Sequence, residues 1–189
     1  MQKLKTTFKE LTIDSWKDFE RLFGERGACG GCWCMYWRLR NKDFESQKGS
    51  GNKNSMKKLV KNKEQIGIIM YSDNEPIGWC SVAPRKDFIR LGNSRILKPI
   101  DDKLVWSIVC FFIDKGYRRK GYSVKILQEV IKITEGKGAK ILEGYPNDPK
   151  SDNMPAAFAW TGISSAFVKA GFTEVARRSE TRPIMRYYL

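Results

Sequence analysis

Nine of the ten residues 104–113 (L-V-W-S-I-V-C-F-F-I) are apolar, and the run ends directly in Asp114-Lys115-Gly116-Tyr117-Arg118-Arg119-Lys120-Gly121-Tyr122-Ser123. An apolar run of that length without alternation reads as a strand covered on both faces, in the interior of a sheet. It is about half the length needed to cross a bilayer. The segment after it, with Val124, Leu127, Val130 and Ile131 facing inward, reads as a helix that Gly136 and Gly138 bring to a stop. A buried strand, a basic glycine-containing turn and a helix start together form an anion site. Free amides of the first helical turn point outward, the helix dipole adds positive charge, and Gly121 lets a phosphate approach the backbone.

The rest of the chain reads as a mixed α/β single domain over residues 1–189. Residues 4–12 carry a short strand-like stretch. Ser15 with Asp18 suggests a capping box, ahead of a helix that buries Trp16, Phe19, Leu22 and Phe23. Residues 38–54 are polar and rich in Gly, Ser and Asn, and read as a mobile loop, so 28–54 is expected as an acceptor-side insertion. A short basic helix follows over 55–63, burying Met56, Leu59 and Val60. Residues 66–71 and 76–82 read as a hairpin about Ser72-Asp73-Asn74-Glu75. Strands over 139–145, 173–179 and 183–189 and a helix over 163–170 complete the pattern.

Composition narrows the chemistry. The chain has no histidine, which excludes Ser-His-Asp and Cys-His machinery, His-ligated metal and any imidazole base. Lys and Arg number 35 against 21 Asp and Glu, a net charge of +14 that suits an anionic ligand. Five cysteines, three of them at Cys29, Cys32 and Cys34, do not make a disulfide framework. With no apolar leader-like run at the start, they point to a reducing, cytoplasmic setting.

Three phosphate-loop patterns compete for residues 114–123. A Walker A loop fails because Tyr122 stands at the lysine position, and a Rossmann G-x-G-x-x-G is absent. The pattern [QR]-x-x-G-x-[GA] is met by Arg118 and Gly121, with Ser123 in the last place. In this the chain resembles the GCN5-related N-acetyltransferase (GNAT) superfamily. Phe167-Val168-Lys169-Ala170-Gly171-Phe172 is similar to that family's aromatic-x-K-x-G-F ending. The resemblance runs from about Ile66 to the C-terminus.

It implies an α/β (α+β) single-domain GNAT-like fold, with a mixed central sheet splayed between its fourth and fifth strands and flanked by helices. It also implies acetyl-CoA as co-substrate and acetyl transfer to a primary amine of a small-molecule or peptide acceptor. The backbone at Phe111, Phe112 and Ile113 would pair with the pantetheine arm. Amides of Arg119, Lys120, Gly121, Tyr122 and Ser123 would hold the pyrophosphate beside Arg118, and Arg119 or Lys120 would screen the 3′-phosphate. The usual tyrosine is Phe167 here, an upstream asparagine is Trp160, and the strand carboxylate of some relatives is Ser107.

The catalytic groups are therefore sought among this chain's own residues. Glu143, in a strand otherwise apolar, is expected as general base with a pKa raised by desolvation. Tyr145, on the same strand face, is expected as the acid, ahead of Tyr122. Cys29, Cys32 and Cys34, with Cys80 as a fourth ligand, could hold zinc, but lack two separated pairs, and no metal site is expected. Trp33, Tyr36 and Trp37 instead form a wall of the acceptor pocket. Arg85 is placed to clamp an acceptor carboxylate or phosphate, or else to pair with Asp87. Two other readings remain open. One is a basic nucleic-acid-binding module, from the aromatic and basic residues between Trp33 and Arg40. The other is a fold that binds acyl-CoA without turnover.

Overall fold

A computed structural model describes residues 5–64, 66–149 and 156–189. The elements run β1 (Thr6–Glu10), α1 (Trp16–Phe23), α2 (Asn41–Ser46), α3 (Ser50–Lys61), β2 (Gly67–Ser72), β3 (Glu75–Pro84), α4 (Ile89–Gly92), β4 (Trp106–Ile113), α5 (Tyr122–Gly136), β5 (Ile141–Gly144), α6 (Ser164–Lys169), β6 (Thr173–Arg177) and β7 (Pro183–Tyr188). Among the described residues seven strands make one mixed sheet, in the order β1-β2-β3-β4-β5-β7-β6.

Strand alternation divides the core between the two faces. Ile68, Met70, Ile77, Cys80, Val82, Ile108 and Phe111 point toward α5 and α6. Ile69, Tyr71 and Trp79 point toward α1 and α3, against Trp16, Phe19, Phe23 and Met56. The hairpin turn is the two-residue Asp73-Asn74, both in the left-handed region at φ +47° and +69°. That geometry suits the twist of the flanking strands.

The central feature is where β4 and β5 part. Their parallel pairing covers Trp106 with Leu142, Ser107 with Glu143 and Ile108 with Gly144. β4 then runs on to Ile113, still paired with β3 as far as Gly78. From Val109 onward its other edge meets no strand among the described residues. A bulge falls at the same point, because Ser81 faces Cys110 while Val82 faces Ile108. Val109 and Cys110 both pack on the helix α1 side of the sheet, between Ile108 and Phe111 on the other. Bulges re-aim backbone groups and end pairing, and this one does both.

Three local expectations are corrected. Residues 38–54 are largely helical rather than a loop, as α2 and the first turns of α3. Their polar side chains are used internally: Asn52 is buried, and its Nδ2 donates to the carbonyls of Gly31 at 3.1 Å and Phe44 at 3.5 Å. Ser15 makes no cap to α1. Its hydroxyl donates to Glu10 O and accepts from Thr12 N, both at 2.9 Å, closing the preceding turn. The inward face of α5 is Tyr122, Ile126, Leu127, Val130 and Thr134, with Val124 and Ile131 only partly buried.

Candidate functional site

The loop leaving β4 is built from its own hydrogen bonds. Asp114 Oδ1 accepts from Gly116 N at 2.9 Å, Arg118 Nε donates to Ile113 O at 2.8 Å, and Lys120 Nζ donates to Gly116 O at 2.8 Å. Arg119 and Gly121 are both left-handed, at φ +60° and +77°, and no side chain caps the first turn of α5. The loop therefore presents exposed Arg118, Arg119 and Lys120 around an uncapped helix start. Tyr122 instead turns its ring inward, 5.9 Å from that of Tyr117. Phe111 and Phe112 diverge from the open edge of β4. The first meets Phe167 edge-on at 5.9 Å, and the second meets Phe23 at 5.5 Å.

Beneath the point of parting lies a buried polar network. Tyr145 Oη donates to Glu143 Oε1 at 2.6 Å and lies 2.9 Å from Ser107 Oγ. Arg85 Nη1 donates to Glu143 Oε1 at 3.1 Å and also to Tyr145 Oη, while its Nη2 holds the carbonyls of Leu91 and Leu97 at 3.2 and 2.7 Å. Arg186 Nε donates to Glu143 Oε2 at 2.7 Å, and Arg186 turns Nη1 and Nη2 to Asp101 at 2.6 and 2.9 Å. Burial first, and the Glu143 charge second, push the Tyr145 hydroxyl far above its ordinary pKa.

This arrangement changes the ground on which Glu143 and Tyr145 were expected to act. Glu143 lies between two guanidiniums and a hydroxyl rather than in an apolar strand environment, and both of its oxygens are engaged. Arg85 pairs with Glu143, not with Asp87, and has only 14% of its side chain exposed. Phe167 is fully buried in the core. A Cβ on Gly144 would fall 2.1 Å from its ring, and one on Gly162 2.8 Å.

The expected acceptor wall is divided. Trp37 donates from Nε1 to Val109 O at 3.1 Å, fixing the wall to the bulge itself. Trp160 packs on Tyr36 and Trp37 at 5.2 and 5.7 Å, and Arg90 lies 4.0 Å over the Tyr36 ring. Trp33 belongs elsewhere: it stacks on Phe23 at 5.8 Å and lines a surface concavity of about 610 Å³ with Glu20, Gly24 and Lys53. Trp33, Trp37 and Arg38 are all buried, so the aromatic and basic strip is interior and presents no continuous surface.

The five cysteines are free, and among the described residues no three Cys, Asp or Glu converge as metal ligands. Cys34 is buried and accepts from Trp79 Nε1 at 3.2 Å. A hydrogen bond from Cys110, with others from Trp79 and Ser81, lowers its pKa despite burial.

Sequence reasoning missed Arg186, Asp101 and the part played by Ser107. One signal was present: Glu143 and Arg186 are the only charges inside β5 and β7, and they face each other across that pair.

A sequence model described as "Acetyltransferase (GNAT) family" matches residues 33–158. No match was found among curated proteins. Solved structures of similar fold include PaiA N-acetyltransferase from Thermoplasma acidophilum in complex with coenzyme A, at 17% identity and TM-score 0.54, covering 98% of this chain and 100% of that one. An acetyltransferase of the GNAT family from Streptococcus pneumoniae is similar at 12% identity and TM-score 0.55, covering 98% and 99%. The NatC complex bound to Gag peptide and CoA is similar at 11% identity and TM-score 0.54, covering 98% and 99%.

Proposed function

The chain belongs to the acetyltransferase (GNAT) family, and on that premise we propose that it transfers an acetyl group from acetyl-CoA to an amine of a small-molecule or peptide acceptor, directly and within one ternary complex. The observation that carries this reading is β4 running past the end of β5, from Val109 to Ile113, into the basic loop and the uncapped start of α5. An extended pantetheine arm would pair with the open edge at Phe111, Phe112 and Ile113, as an added strand pairs with a sheet. The pyrophosphate would rest on the amides from Arg119 to Ser123. Arg118, held through Nε, would turn its remaining donors to phosphate.

In the reaction the amine nitrogen bonds to the thioester carbon and the C–S bond breaks. The proton lost by nitrogen balances the one gained by the CoA sulfur. Backbone amides freed by the bulge would polarise the carbonyl. Glu143, Tyr145 and Arg85 act as positioning residues: they fix β4, β5 and β7 at the vertex from which the sheet opens. With Phe167 enclosed in the core, no tyrosine stands at the family's usual acid position, and solvent carries the proton. That same enclosure favours, as a second reading, a protein that holds acyl-CoA without turnover.

The test is a thermal-shift titration with acetyl-CoA, with CoA and a single-stranded RNA as controls, followed by a mass-spectrometric screen of amines. A saturable rise in melting temperature with acetyl-CoA and an acetylated product are expected. Binding without product would support the second reading. A response to RNA alone would overturn both.

A further inference from the structure

Resting on the transfer reading above, we propose that the acceptor amine also carries a carboxylate, and that Arg182 binds this group beside Asn147 and Thr161. Arg182 lies in the turn between β6 and β7. Its Nη1 donates to Asn147 Oδ1 at 2.7 Å and to Thr161 Oγ1 at 2.8 Å. Both acceptors are neutral. Among the described residues Arg182 meets no carboxylate, whereas Arg85 meets one and Arg177 and Arg186 meet two each. Burial lowers its pKa.

A half-buried guanidinium with no counter-ion among the described residues is costly unless something else supplies the charge. The two bonds on Nη1 use that nitrogen's hydrogens and fix the plane of the fork. Among the described residues the Nε and Nη2 edge is left without a partner, and that edge can donate two parallel hydrogen bonds to a carboxylate.

The position is right for an acceptor. Asn147 lies three residues past Gly144, where β5 leaves β4, and its N–H donates to Gly162 O at 2.9 Å. Trp160 touches Tyr36 and Trp37, and Trp37 is bonded to Val109 O at the vertex. Arg182 is thus bonded to Thr161, whose chain neighbour Trp160 leads through Trp37 to the open edge of β4. Arg90, stacked on Tyr36 with its Nη2 buried and unpartnered among the described residues, adds positive charge to the same wall. A net charge of +14 draws anions toward it.

The experiment compares matched pairs that differ by one carboxylate: phenylalanine against phenethylamine, tryptophan against tryptamine, and β-alanine against ethylamine. Binding to the CoA-saturated protein is measured by calorimetry. At least one carboxylate member is expected to bind about ten-fold or more tightly than its partner, as a charge-assisted fork should give. Arg182→Gln should bind both members of that pair alike, and Arg182→Lys should fall between. The melting temperature of each variant with CoA confirms its fold, and the wild-type comparison stands even if Arg182→Gln does not fold. Equal binding in every wild-type pair, or a preference kept by Arg182→Gln, overturns the proposal. Acetylated product is read separately. A carboxylate preference without product would retire the transfer reading alone, and product without the preference would retire this one alone.

Discussion

Glu143 and Arg186 face each other directly across the antiparallel pair of β5 and β7, and Arg186 Nε donates to Glu143 Oε2 at 2.7 Å. Both side chains are almost wholly buried, at 1% and 3% exposed. The pair lies one residue below the point where β4 and β5 part, since Glu143 also faces Ser107. Removing the Glu143 charge leaves Arg186 with Asp101 alone and the largely buried Arg85 with no carboxylate among the described residues, which costs more than the pair contributes while intact. Glu143→Gln should therefore lower unfolding stability by about 3–5 kcal/mol. Urea denaturation at unchanged m would measure it. If Glu143 only positions the strands, the residual activity of Glu143→Gln should keep the wild-type shape of its pH–rate profile. Loss of one limb of that profile would restore the general-base reading.

Asp101 completes the network from the surface side. Hydrogen bonds from the Arg186 guanidinium, ahead of all other causes, hold its carboxyl down at about 2. A carboxyl whose pKa is lowered on folding stabilises the protein above its unfolded pKa, about 4, and that contribution disappears as pH falls from there toward about 2. The acid limb of the stability curve should accordingly be shallower over that window in Asp101→Asn than in the wild type. Melting temperatures at half-unit pH steps would show it, and parallel curves would refute it.

Much of this fold was legible in the sequence, and the reason differs by element. The face of α1 was readable because Trp16, Phe19, Leu22 and Phe23 recur at helical spacing with no competing apolar residue. The β4 run and the loop after it were readable because burial on both faces leaves one unbroken apolar string. α2 and the start of α3 were not readable. Their glycines and asparagines carry the composition of a loop, and only the three-dimensional structure shows Asn52 tying Gly31 and Phe44 together. The setting of Glu143 was hidden for a different reason. Its partners Arg85 and Arg186 come from just past the end of β3 and from β7, and the register that joins them depends on the completed sheet. Glu143 and Tyr145 were correctly seen to share one face, yet what surrounds that face is set by distant chain.

The vertex itself depends on a missing side chain. Gly144 is the last β5 residue paired with β4, and a Cβ there would fall 2.1 Å from Phe167 Cε1. Gly144→Ala should cost about 1–3 kcal/mol through overpacking. Phe167→Leu in the same chain should recover part of the loss by removing the ring that is struck. A full loss persisting in the double variant would show that the strain lies in the backbone and not in this contact.

Gly121 poses the opposite case, with open space around it and a left-handed φ of +77°. A Cβ there has no atom of the described residues within 4 Å, so its cost is conformational, about 1–2 kcal/mol. The larger effect should fall on the ligand, because the added methyl group stands where a phosphate approaches the start of α5. Gly121→Ala should weaken CoA binding by about ten-fold or more while the protein stays folded. Unchanged affinity by calorimetry would place the pyrophosphate elsewhere.

Thiol reactivity separates access from acidity. Cys29 is exposed, Cys32 is half-buried, and desolvation pushes the Cys32 thiol up to about 11. At pH 8 only about a thousandth of Cys32 would be thiolate, so one fast-reacting thiol is expected from the native protein. Cys29→Ser should abolish that phase, and denaturant should release the rest. Cys34, which is buried, and Cys110, which is half-buried, diverge: the hydrogen bond between them lowers the first and raises the second. A small neutral alkylating agent that penetrates slowly should therefore modify Cys34 before Cys110, as peptide mapping would record. The reverse order would mean that access from the open edge of β4, and not thiolate character, governs the pair.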